Sequence, residues 1–126
     1  MWHLSKRIFS ISYDPRLSAA RERLLRTFGY RVKSTLSLEE AFRLILTRQF
    51  DVVLIGYTVT EHERKTLISH IRARDPHIQI IFVVAYDRED SEPLADMKSK
   101  SKPDELLRAI KVALASPRGS GKTATD

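Results

Sequence analysis

Hydrophobic positions along this chain follow two rhythms. The stretch Phe50-Asp51-Val52-Val53-Leu54-Ile55-Gly56-Tyr57-Thr58 holds an unbroken apolar run between a polar entry and a Gly-Tyr-Thr exit. Such a run predicts a strand buried on both faces, the central strand of a parallel sheet covered by helices. Ile78 to Ala85 is a second run of this kind. Arg7 to Ser12 and Tyr30 to Thr35 are shorter β-prone stretches, with Val32 the surest inward residue of the latter, and a brief fifth strand is expected at Met97 to Ser99.

Between these runs the spacing turns helical. Asp14-Pro15 opens a helix, the Asp capping free N–H groups and the Pro preset for the first helical position. Leu17, Ala20, Leu24, Leu25 and Phe28 make its inward stripe, and Gly29 stands where a left-handed residue closes a helix. Ser37-Leu38-Glu39-Glu40 has the form of a capping box, followed by an apolar face of Leu38, Ala41, Phe42, Ile45 and Leu46. Glu61 to Arg74 is a charged helix with Leu67, Ile68 and Ile71 inward, broken by Asp75-Pro76. Asp87 to Lys102 has no clean period, with a short helix expected over Glu92 to Asp96. Pro103 to Ala115 is the last helix, facing in through Leu106, Leu107, Ile110 and Leu114.

Short strands alternating with helices imply βαβ units with right-handed crossovers. The expected architecture is an α/β, flavodoxin-like (βα)5 three-layer sandwich on a parallel five-stranded sheet of order 2-1-3-4-5. Any site then lies beyond the carboxyl ends of the strands, near Ser12-Tyr13-Asp14, Gly56-Tyr57-Thr58 and Ala85-Tyr86-Asp87. Residues 1–116 form the expected domain, and the polar, Gly- and Pro-containing stretch 117–126 is expected to be a disordered tail.

Composition narrows the chemistry. With 126 residues, 42% hydrophobic and 30% charged, the chain is one ordinary globular domain. No apolar run is long enough to span a membrane and no secretory h-region opens the chain, so a cytoplasmic location is expected. The absence of cysteine excludes disulfides, thiolate metal sites and cysteine nucleophiles. His3, His62, His70 and His77 show no ligand spacing, so no metal and no cofactor is expected. Gly119-Ser120-Gly121-Lys122-Thr123 imitates a phosphate loop. However, Ser116 stands where the leading Gly belongs, and no helix follows.

The succession of elements over roughly residues 6 to 115 resembles the receiver domain of bacterial response regulators. Ile8 to Pro15 looks like its first strand and acidic loop, and Gly29-Tyr30-Arg31-Val32 with Ser37 to Ala41 like its second strand and helix. Phe50 to Ile55 looks like the strand leading to the phosphoacceptor, Ile80 to Ala85 like the switch strand, and Lys102 to Leu107 like the Lys-Pro junction and last helix. The resemblance implies a phosphoacceptor aspartate at the position of Gly56, a metal-binding acid pair at Ser12 and Tyr13, a switch Thr or Ser at Val84, and a switch aromatic on or near Met97. None of these residues is of the required type. Asp14 is the acid left beside the pair, and one carboxylate holds a hard divalent cation weakly. The receiver lysine is matched by Lys100 or by Lys102, the register being open.

These departures describe a pseudo-receiver, not an enzyme: an atypical, phosphorylation-independent module of two-component or phosphorelay-type signalling that acts by binding protein. Tyr13, Tyr57 and Tyr86 either fill the vacated acidic pocket or form a surface for a partner. Lys98, Lys100, Lys102, Arg108 and Lys111 gather around the last strand and helix, the face through which receivers dimerise or contact an output partner. A homodimer through that face is a further expectation. Net charge is +6, from 22 Lys and Arg against 16 Asp and Glu. That balance admits the alternative of a basic nucleic-acid-associated regulator or the receiver part of a longer transcription factor. Without interleaved aromatics or a nucleic-acid-binding motif, the protein partner is the favoured reading.

Overall fold

Five strands alternate with four helices over residues 5–85 and 87–115, the residues described by the computed structural model. They run β1 (Arg7–Ile11), α1 (Pro15–Thr27), β2 (Arg31–Thr35), α2 (Leu38–Thr47), β3 (Val52–Gly56), α3 (Glu61–Arg74), β4 (Gln79–Val84), β5 (Met97–Lys100) and α4 (Pro103–Ala115). All four strand pairings are parallel, and the order is β2-β1-β3-β4-β5, as the alternation predicts.

The period-two geometry of a strand explains the layers. Val53 and Ile55 of β3 join Phe9, Ile11 and Ile80 in a core covered by Ala41, Leu44 and Ile45 of α2 and Leu67, Ile68 and Ile71 of α3. Val52 and Leu54 turn the other way, with Ile8, Ile81 and Val83, onto Leu25 of α1 and Leu106, Ile110 and Ala113 of α4. Every residue of β3 and β4 is buried, so both apolar runs are central strands.

Helix ends follow local chemistry. Asp14 caps α1 by accepting from the Arg16 and Leu17 N–H groups, at 2.9 and 3.3 Å. Gly29, with φ +92°, makes the left-handed step after it. Ser37 accepts from the Glu40 N–H at 3.2 Å, but the expected reciprocal bond is absent there. The Glu40 carboxylate instead takes the Thr35 hydroxyl and Arg43. The full capping box belongs to α3, between Thr60 and Glu63.

Several expectations are corrected. Phe28 is the residue beyond the last turn of α1 and is 60% exposed, and Ala20 also faces solvent. In α2 the inward residue is Leu44, while Leu46 is 65% exposed. Between β4 and β5 no helix is present among the described residues, which hold three crossover helices and the terminal α4 where five helices were expected. Glu92 to Asp96 is a turn, because Glu92 and Asp96 are drawn into ion pairs with α3, described below, which an isolated short helix could not outcompete. Tyr86 and stretch 117–126 lie outside the described residues.

Candidate functional site

The carboxyl ends of β1 and β3 lie side by side, Ile11 being the register partner of Ile55. Ser12 therefore follows β1 next to Gly56, the last residue of β3. Ser12 is fully buried. Its hydroxyl sits 3.3 Å from the Thr58 hydroxyl and accepts from the Asp14 N–H at 3.2 Å, while Thr58 accepts from the Tyr13 N–H at 2.8 Å. These bonds tie the loop after β1 to the loop after β3 with neutral groups. The Asp14 carboxylate is spent on the cap of α1, where the positive end of the helix favours it.

Gly56 faces an unexpected neighbour. A Cβ placed on Gly56 would meet the Arg21 Nη1 at 2.9 Å, the Ile11 carbonyl oxygen at 3.3 Å and the Ser12 Cβ at 3.5 Å. Arg21 is buried, 5% exposed, and reaches from α1 across the ends of the strands. Its Nη2 donates to the Ser101 hydroxyl at 3.1 Å, linking α1 to the β5–α4 junction. Its Nε and Nη1 have no hydrogen-bond partner among the described residues. Burial lowers its pKa, against the raising influence of Tyr57 and Asp14. A fixed organic cation thus fills the cradle beside the position that the resemblance assigns to the phosphoacceptor.

The remaining candidate residues are spread around this centre. Tyr13 packs against the α2–α3 side of the core. Burial of its hydroxyl first, and the Glu63 carboxylate second, push its pKa up to about 12, so it is a neutral phenol at ordinary pH. Tyr57 is half-buried in the loop after β3. Val84 ends β4 as the register partner of Lys100, and is fully buried with no hydroxyl to offer. The Lys100 ammonium bonds the Arg88 carbonyl oxygen and the Glu89 carboxylate, the latter at 3.0 Å. Lys102 is exposed at the start of α4, and its carbonyl accepts from the Leu106 N–H at 2.9 Å. Lys98, Arg108 and Lys111 are exposed on β5 and α4, where Met97, Ala109 and Val112 line a 290 Å³ groove.

A second buried cation organises the rim. Arg64 of α3 bonds the Glu92 carboxylate at 3.1 Å and the Val59 carbonyl at 2.8 Å, and its guanidinium lies 4.4 Å from the Phe82 ring centroid. Glu92 also accepts from Lys65 at 3.3 Å and from the Leu94 N–H at 3.2 Å. Desolvation raises the Glu92 pKa, but these bonds outweigh it and hold the carboxyl below its usual value. Arg72 pairs with Asp96 at 2.6 Å. The β4–β5 connection is thereby pinned to α3 at two points. Sequence reasoning missed Arg21, Arg64 and Glu92. The available signal for Arg21 was its position, four residues after Leu17 and four before Leu25, on the inward stripe of α1.

No family model and no curated protein matches the sequence. Solved structures do match the fold. A CheY-like response regulator receiver domain protein from Methanospirillum hungatei superposes with a TM-score of 0.77 at 22% identity, over 89% of this chain and 95% of that one. The response regulator TrrA from Thermotoga maritima, solved with Mg²⁺ and BeF, gives 0.73 at 23% identity, over 85% and 97%. The fold is the receiver fold. A Thermotoga maritima complex of the histidine kinase ThkA with TrrA also matches, with a TM-score of 0.74 at 23% identity, over 86% of this chain and 98% of that one. Among the described residues of this receiver-fold chain, no group of three or more His, Cys, Asp or Glu converges as a metal site, and no helix is long and apolar enough to cross a membrane.

Proposed function

We propose that this chain is a pseudo-receiver: a phosphorylation-independent module of two-component-type signalling that works by binding another protein. The observation that carries the reading is the pairing of Gly56 with Arg21. Phosphoryl transfer to a receiver needs an attacking carboxylate and a divalent cation beside it. Here the acceptor position has no side chain, the neighbouring space holds a guanidinium, and the Asp14 carboxylate caps a helix. A bound guanidinium supplies positive charge without the open coordination positions through which a metal grips a phosphoryl oxygen.

Receiver-fold proteins meet partners, as the ThkA–TrrA complex illustrates for TrrA. For this chain the β5–α4 face supports such a role. Val112 is 49% exposed beside Met97 and Ala109; Lys98, Lys100 and Arg108 border this apolar strip with the single acid Glu105, and Lys111 is exposed on the same helix. An apolar centre with a charged rim suits an acidic-rimmed partner or a second copy of the chain. Tyr13 and Tyr57 at the loop edge are read as filling the vacated pocket, consistent with the partial burial of both.

The deciding experiment is incubation with a small phosphodonor and Mg²⁺, followed by intact-mass measurement. The expected spectrum shows the unmodified chain alone. A species heavier by one phosphoryl group would overturn the reading.

A further inference from the structure

A different site opens at the opposite end of the sheet. There α2 ends at Thr47 and leaves the starts of β1 and β2 uncovered on that face. Two cavities lie in the gap and share Arg48, Gln49 and Phe50 as a common wall. One, of 260 Å³, has apolar walls from Ile45, Ile71 and Ile78, with Arg48, Arg74 and Asp75 as its charged lining. The other, of 460 Å³, is bounded by Arg7, Arg31 and Lys33. Phe50, stacked on Phe9 with ring centroids 4.6 Å apart, is the apolar part of the wall that both cavities share.

The charge in the larger lobe is unbalanced. Arg7 and Arg31 are direct register partners on strands about 4.8 Å apart, an arrangement that is unfavourable for like charges. Asp51 neutralises Arg7 alone, accepting its backbone N–H at 2.7 Å and facing its guanidinium at 3.5 Å. Arg31, Lys33 and Arg48 form no ion pair among the described residues. Lys33 is near enough to Glu40 to help hold that carboxyl below its usual value, but Arg31 and Arg48 have no acid paired with them among the described residues, and the positive charge left around this cavity is one that a bound anion would relieve.

We propose that this two-lobed cleft binds a small amphipathic anion. Its aromatic or acyl body lies in the lobe of Ile45, Ile71 and Ile78, and its carboxylate, sulfonate or phosphate head group meets Arg31, Lys33 and Arg48. The volumes suit a ligand of that size, and the lining sets apolar side chains beside convergent cations, so an apolar body and an anionic head each find a wall of their own kind. Arginine adds directionality, since its planar fork meets an oxyanion with two parallel hydrogen bonds. This site is independent of the Gly56 end and of the partner face on β5 and α4.

The test uses anilinonaphthalene sulfonate, a fluorescent aromatic sulfonate, on the whole folded chain, with near-UV circular dichroism confirming native packing. A single saturable site is expected, weakened by added salt and displaced by decanoate but not by decanol. Arg31 and Arg48 are exposed, so Arg31→Gln with Arg48→Gln leaves the fold in place. That pair of changes should weaken binding about tenfold or more, the scale of a lost charged hydrogen bond. The control pair Lys98→Gln with Lys111→Gln should leave binding unchanged. Absence of saturable binding, equal displacement by decanol, or undiminished affinity in the Arg31/Arg48 variant would each overturn the proposal.

Discussion

At the scale of residues, Gly56 and Arg21 are one feature. A Cβ at Gly56 falls 2.9 Å from the Arg21 Nη1, so any larger residue there must displace the guanidinium. Gly56→Asp would place a carboxylate against that cation, and the two would pair. The variant should therefore remain unlabelled by a phosphodonor with Mg²⁺, both because Arg21 engages the new carboxylate and because no acid pair stands at Ser12 and Tyr13. Intact mass decides it, and robust labelling of that single variant would disprove the account. Arg21 itself is costly to bury, since two of its donors find no partner among the described residues. Replacing a buried, incompletely paired charge by an apolar side chain of similar length is often neutral or stabilising. Arg21→Met is thus expected to be no less stable than the parent in urea denaturation, with a gain of up to about 4 kcal/mol. A loss of stability would show that the guanidinium is held by more than its bond to Ser101.

At the scale of elements, the β4–β5 connection shows how tertiary bonds replace a helix. Glu92 is enclosed by Arg64, Lys65 and the Leu94 N–H, and Asp96 is held by Arg72 and the Ile80 N–H, the latter at 2.7 Å. Removing one partner of a buried ion pair leaves an uncompensated charge, so Glu92→Gln should cost about 3 kcal/mol. The pH dependence follows from the depressed carboxyl. Its folded pKa lies below the unfolded value of 4.5, so this stabilisation is fully present above that pH and disappears as pH falls through the folded value. Thermal unfolding across pH 3 to 6, an interval of about one to two units around a carboxyl pKa, should show a steeper acid loss in the parent than in Glu92→Gln. Parallel curves would remove Glu92 from the explanation.

At the scale of the whole molecule, the features on which the proposals rest divide between the ends and one side of a single sheet. The carboxyl end has a filled pocket, the amino end an open basic cleft, and β5 with α4 an apolar strip bordered by cations. The proposed partner binding is assigned to that strip. Changing Lys98, Arg108 and Lys111 to Glu reverses the charge of its rim without touching the core, because all three side chains are exposed. Such a variant should melt within a few degrees of the parent and lose partner capture in a pulldown from the native cell, or lose self-association in sedimentation velocity. Retention of the same partner or the same dimer would move the interface elsewhere.

Much of this was legible in the amino-acid order. The apolar runs at Val52–Ile55 and Ile80–Val83 required two-sided burial, and the alternation with helical stripes required parallel pairing. The lack of a carboxylate at Gly56 was also legible, because a sequence names its side chains directly. What filled the gap was not. Arg21 interrupts the stripe of α1, and a periodic pattern treats it as a cation pushed to the edge; only the docking of α1 beside β1 and β3 carries it to Gly56. Tertiary structure likewise decided the fate of Glu92 to Asp96. Local propensity offers those residues a marginal helical turn, whereas the arginines of α3, distant in the chain, offer ion pairs strong enough to hold them as a turn. Sequence determined which faces must be buried and which chemistry is missing around Gly56, since both depend on side-chain identity and local period. Tertiary structure decided which charges meet, because that depends on packing between segments far apart in the chain.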